Sequence, residues 1–171
     1  MNVTDIWVIP QSHRIRLTVE MPDPDRFYTS QVPHLPQMLF QLYPSLARHK
    51  CENGRGYTFR RECRATEIPH LFEHLIIELQ GQAQPTYRLR GETEWNWHVD
   101  PRGRFYVYVD YENELLAVAA IRLAEQVIRA LDRRELEALN VRVEMERLRE
   151  IARLGRELIR NDRQEVGAEV K

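Results

Sequence analysis

Residues 14–21 alternate strictly, with Ile15, Leu17 and Val19 set against Arg14, Arg16, Thr18 and Glu20, and residues 3–10 carry a similar β-branched alternation. A period of two sends successive side chains to opposite faces, so the pair, joined by Gln11-Ser12-His13, predicts a hairpin with one wet face. Pro22-Asp23-Pro24-Asp25 is a turn-rich break that ends it. A short helix is expected over 35–42, stopped by Pro44. Leu71, Leu75, Ile76 and Leu79 then recur at helical spacing behind Thr66 and Pro69, which predicts a helix over 67–79 ended by Gly81. Tyr87-Arg88-Leu89-Arg90 and Phe105-Tyr106-Val107-Tyr108-Val109 read as two further antiparallel strands, with Pro101-Arg102-Gly103 in their connection. From Glu112 the period becomes 3.6, and Leu116, Ala119, Ala120, Leu123, Val127 and Leu131 share one face of a core helix.

A last helix is expected over 134–159, its stripe made of Leu136, Val141, Met145, Leu148, Ala152 and Ile159. At 1.5 Å per residue it reaches about 39 Å, longer than a small domain needs. Either it folds back and breaks near Gly155, or its overhang is covered by a second copy in a homodimer. Residues 164–171 read as a frayed tail. The elements sum to an α+β fold: a mostly antiparallel sheet covered by helices, the long C-terminal one included. One domain over 1–162 and a flexible tail over 163–171 are expected. Residues 48–64 hold Gly54, Gly56 and a spread of Arg without apolar period, and read as a long loop of the kind that carries function.

Composition narrows the classes. With 25 Lys and Arg against 26 Asp and Glu, the net charge is −1 over 171 residues, so the basic excess of a nucleic-acid binder is missing. No apolar run is long enough to span a bilayer. Residues 1–10 lack Lys, Arg and an apolar h-region, so no secretory signal, and hence a cytoplasmic protein, is expected. In that compartment Cys51 and Cys63 are expected to stay thiols and to serve packing. The glycines neither follow a strand nor precede Lys-Ser or Lys-Thr, which argues against ATP use.

His70-Leu71-Phe72-Glu73-His74 carries the chemistry. On a helix, a spacing of four puts both imidazoles one turn apart on the same face, where they can share one Zn²⁺. Glu73 then stands beside the ion, placed to take a water proton; the string is the inverse of the HExxH arrangement of zinc peptidases. A helix-surface patch in which the two histidines flank Glu73 is the competing reading. Zinc hydrolysis needs a third protein ligand. Glu114 and Glu112, heading the core helix, are the candidates, with Glu114 ahead because it leads the inward series Ala117, Val118, Ile121. For either one, favouring the helix N-terminus by charge is the alternative role.

The string His49-Lys50-Cys51, Gly54-Arg55, Phe59, Thr66 and His70 through Gln80, with Phe105 through Glu114 running into Arg122-Leu123-Ala124, resembles the N-terminal domain of cyanophycin synthetase. The likeness spans 48–131, about half of the chain. In that family the domain precedes ATP-dependent ligase modules that build a poly-aspartate chain bearing arginine. It holds this polymer and, in some members, cleaves it with a metal. The resemblance implies His70, His74 and Glu114 as metal ligands, Glu73 as general base, and a peptide or Asp/Arg polymer as substrate. The ligase modules have no counterpart in these residues, so ligation is not expected.

The sequence departs from the family over 89–103, where Trp95, Trp97 and His98 stand in a longer connection. Arg55, Arg60, Arg90, Trp95 and Trp97 are the candidates for substrate contact, Arg by forking onto carboxylates. For the Trp residues the alternative is strand packing, and for the loop Arg a solvated surface. The leading expectation is a zinc-dependent amide hydrolase; the alternative is a non-catalytic module that binds a polymer or protein with the same fold.

Overall fold

The computed structural model describes residues 1–51, 56–85, 88–135, 137 and 139–169, without the side chains of 159 and 161–169. Two long strands, β1 (Asn2–Ile9) and β2 (Arg14–Glu20), form the expected hairpin, and β3 (Gly91–Glu94) and β4 (Arg104–Asp110) complete a sheet of order β1-β2-β4-β3. Every pairing is antiparallel, with Ile15 opposite Val109 and Leu17 opposite Val107. The alternation decides which face is wet. Ile15, Leu17, Val19, Phe105, Val107 and Val109 are buried beneath the helices, while the interleaved Arg14, Arg16, Tyr106 and Tyr108 lie on the other face.

Five α-helices stand among the described residues: α1 (His34–Leu42), the single turn α2 (Phe59–Glu62), α3 (Ile68–Ala83), α4 (Glu114–Arg133) and α5 (Val141–Glu169). The chain is therefore α+β, with an antiparallel sheet and a long C-terminal helix. Helix α3 lies on β3 and β4 with α4 and α5 packed around it, and eleven of its residues are buried. A helix buried nearly all round has no purely wet face, so any polar group on it must find a partner or line a cleft.

Several boundaries differ from the sequence reading. Gly81 does not end α3, which runs to Ala83; Gln82 bonds back to Glu78 at 2.6 Å, and Pro85 forces the exit. The strand expected over 87–90 lies instead at 91–94; Tyr87 is outside the described residues, and Arg90 meets Asp110 at the sheet's edge, accepting from its N–H at 2.9 Å and donating its own N–H to Asp110 Oδ2 at 3.0 Å. The loop over 48–64 is partly ordered by α2 and by a bridge between Lys50 and Thr58; Gly54 is outside the described residues.

Helix α5 starts at Val141 and continues through Gly155 to Glu169, so no break is present at Gly155. Gly155 is there for close approach: a Cβ on it would meet Asn113 Nδ2 at 2.3 Å. Asn113 caps α4 by accepting from Leu116 N–H at 3.1 Å and donates to the Ala152 carbonyl at 3.3 Å, so one side chain starts α4 and ties α5 to it. Met145, Leu148 and Ala152 are buried as expected, while Leu136 and the side chain of Ile159 are outside the described residues.

Candidate metal centre and cleft

His70 and His74 project from α3 one turn apart, with ring centroids 4.9 Å from each other. The third donor beside them is Cys51, whose Sγ lies 3.4 Å from His74 Nε2 and 3.8 Å from His70 Nε2. The three donor atoms fall within 4.8 Å of one another. Glu114, the expected third ligand, is not there. It is the exposed first residue of α4, where a carboxylate is favoured by the helix dipole and stays in water, and Asn113 takes the buried capping position. Glu112 is exposed as well, and neither acid lines the cleft around the histidines.

Cys51 reaches the site through the local form of its chain. Lys50 bridges to Thr58, and in extended backbone the neighbours on either side of it face the same way, so His49 and Cys51 both turn toward α3. Cys51 therefore serves more than the packing expected of it: its partners stand on another element, α3, and no local spacing points to them. Phe59 from α2 stacks on His74, centroids 3.7 Å apart, and fixes the ring from below.

Each imidazole has a partner on its far nitrogen. His70 Nδ1 is 2.7 Å from Thr66 Oγ1, and His74 Nδ1 is 3.2 Å from His49 Nδ1. His49 Nε2 in turn lies 2.7 Å from Glu78 Oε2. Burial pulls the Glu78 carboxyl upward, but hydrogen bonds from His49, Ser45 and Gln82 outweigh it and hold the group below its ordinary value. Burial lowers His70, against the pull of Glu62, and lowers His74 well below the usual imidazole range, helped by the neighbouring His70 and His49. Both rings are therefore neutral at pH 7, the form that offers a lone pair.

The Cys51 thiol is pushed up to about 12 by burial and by Glu62 and Glu73. It is no nucleophile at neutral pH, since the thiolate is the reactive form. A divalent cation supplies the charge that ionises such a thiol. One sulfur and two imidazole nitrogens, buried or half-buried and mutually adjacent, fit zinc by donor chemistry, and three protein ligands leave a fourth position open.

Glu73 is only 4% exposed, and its Oε2 accepts from Thr93 Oγ1 at 2.7 Å. Burial raises its carboxyl to about 7, against the pull of the Thr93 bond and Arg14. Gly91 is what lets it fit: a Cβ there would lie 2.4 Å from Glu73 Oε1. Glu73, His70, His74 and Cys51 share one open cleft of about 1550 Å³. Arg48, Lys50, Arg88 and Arg90 from its rim, with Trp95, line it too. Of the other expected contact residues, Arg60 is exposed on α2 and does not line the cleft. Trp97 packs on Phe27 and Phe105 and donates from Nε1 to the Arg104 carbonyl at 3.0 Å, a packing role. Arg55 is outside the described residues.

No helix of the described residues is long and apolar enough to cross a membrane. No curated protein matches the chain. The model of one family, the cyanophycin synthase-like N-terminal domain, matches residues 14–133, from β2 through the end of α4 and across every residue of the centre. The chain belongs to the cyanophycin synthase-like N-terminal domain family.

Proposed function

We propose that this protein is a zinc-dependent amide hydrolase of the inverted-HExxH type, acting on a peptide or Asp/Arg polymer, with Cys51, His70 and His74 as metal ligands and Glu73 as general base. The observation that carries the reading is the convergence of Cys51 Sγ with two imidazole Nε2 atoms beside a buried carboxylate that titrates near neutrality. Bound zinc supplies Lewis-acid activation of water and of the scissile carbonyl. Glu73 takes the proton of the attacking water, and the same carboxyl returns it to the leaving amine as the C–N bond breaks. Thr93 holds one oxygen of that carboxylate in place, and Gly91 leaves room for the other.

The cleft suits a charged chain. Arg48, Lys50 and Arg90 are exposed along it and offer forks and point charges to carboxylates, while Trp95 offers a flat apolar wall. We place the protein in the cytoplasm, a reading supported by two buried cysteines that remain free thiols.

The test is metal content by mass spectrometry on untagged protein, with Cys51→Ala, His70→Ala, His74→Ala and Glu114→Ala alongside. One zinc per chain, lost in the first three and kept in Glu114→Ala, is the expected pattern. Glu73→Gln is expected to keep the metal and lose at least ~10²-fold in turnover on Asp-Arg peptides, since only the proton acceptor is removed. No zinc in wild type after loading and removal of excess overturns the hydrolase and leaves a polymer- or protein-binding module.

A further inference from the structure

Two imidazoles make a metal site only if both present a lone pair to the same point, and a neutral histidine carries one N–H and one lone pair. Which nitrogen keeps the proton is decided by what the other one touches. The neighbours of His74 decide it through two links. Glu78 accepts on Oε1 from Ser45 Oγ and from Gln82 Nε2, and its Oε2 lies 2.7 Å from His49 Nε2. A carboxylate only accepts, so a neutral His49 keeps its proton on Nε2 and its Nδ1 is the acceptor. His74 Nδ1, 3.2 Å away, must then donate, which leaves the His74 Nε2 lone pair aimed at Cys51 Sγ, 3.4 Å from it.

A separate arrangement does the same for His70. The Thr66 hydroxyl has a carboxylate acceptor in Glu67 Oε2 at 3.2 Å; with its single proton directed there, it accepts from His70 Nδ1, 2.7 Å away. His70 donates from Nδ1 and also turns its Nε2 lone pair inward. Two chains of hydrogen bonds with no common member thus converge on one outcome.

We infer that Glu78 and His49 are positioning residues that fix the proton of His74 on Nδ1, and that Thr66 does so for His70, so the centre is set for a cation before one arrives. The inference rests on the ligand assignment proposed above and adds the groups that act through it. All three line the cleft, and each acts through a ligand imidazole. Their work is to remove the proton rearrangement that a metal would otherwise have to drive, and losing such an outer partner costs 10–100-fold in affinity as a rule.

The first measurement needs neither metal nor mutation: long-range ¹H–¹⁵N correlation spectra of the imidazoles in metal-free protein at neutral pH. The expected result is Nε2–H on His49 and Nδ1–H on both His70 and His74. An Nε2–H form on His74 overturns the relay. The second is zinc affinity by competition with a chromophoric chelator. His49→Leu is expected to weaken zinc at least tenfold, with His74 shifting toward Nε2–H. His49→Asn, whose Oδ1 can accept where Nδ1 did, is expected to recover most of the loss. A His49→Leu variant that binds zinc like wild type, or an Asn variant no better than Leu while equally folded by thermal melting, overturns it. If wild type takes up no zinc, the hydrolase reading fails, and the proton positions in the metal-free spectra still decide the relay.

Discussion

Glu73 concentrates the physical tension of the site in one carboxyl. Its value is raised from 4.5 to about 7 in the folded chain, chiefly by burial, so the folded state binds a proton more tightly than the unfolded one. Stability therefore falls as pH rises from about 4.5 to about 7. At 1.36 kcal/mol per unit, the full loss is about 3 kcal/mol. In metal-free protein, Glu73→Gln is expected to match wild type near pH 4.5 and to be more stable above pH 7 by up to about 3 kcal/mol. Urea denaturation at the two pH values checks this, and equal pH dependence in both proteins would be the contrary result. Gly91→Ala probes the same carboxyl from outside: its Cβ would fall 2.4 Å from Oε1 and 2.6 Å from Cγ. Displacing the base by about 1 Å is expected to cost about 10²-fold in turnover with zinc content unchanged. His70, Glu73 and His74 were legible because helical spacing is local. Cys51 was not, because its partners lie on another element, joined to it only by folding.

At the scale of elements, the periodicities located β2, β4, α1, α3 and α4 correctly, since each buries residues in a common core, and β1 as well, though only its half-buried Val3 and Val8 reach that core. The errors fall where a tertiary contact overrides a local preference. Gly81 reads as a stop signal but is exposed and unopposed, and Pro85 does the stopping. Gly155 reads as a break yet sits inside α5 against Asn113. The two effects of Gly155→Ala oppose each other. Helix propensity favours Ala by about 1 kcal/mol. Displacing Asn113 loses a cap worth about 0.5–2 kcal/mol, and overpacking adds a further ~1–3 kcal/mol. The variant is expected to be destabilised by about 1–2 kcal/mol in thermal melts. In an Asn113→Ala background the same change is expected to be neutral or stabilising, because the obstacle has gone.

For the whole molecule, the centre adds a second tie between a non-helical segment and α3. Cys51 is part of the buried core, His49 is half-buried beside it, and their side chains meet α3 at His74, His70 and Glu78. Zinc at about 100 times its Kd is expected to add about 2.7 kcal/mol. In a chain of this size that is roughly 5–10 °C in Tm. Differential scanning fluorimetry with and without chelator reads it, and Cys51→Ala is expected to show no response to either. Fold class and the two histidines were readable because they follow from period and spacing; the approach of His49 and Cys51 to α3 was not, because no local pattern encodes it.

The Phe59 amide donates to the His49 carbonyl at 2.7 Å, across the segment that Cys51 anchors. Its deuterium exchange therefore reports how firmly that strap is fastened. A cation held by Cys51 on one side and α3 on the other would act as a buckle, added to the packing and backbone hydrogen bonds that already join these residues. Protection at Phe59 is expected to rise with zinc occupancy, while amides in the β2–β4 ladder, whose opening is governed by the core, exchange at an unchanged rate. Metal occupancy would then be written into the exchange of one amide bonded to a residue of the cleft.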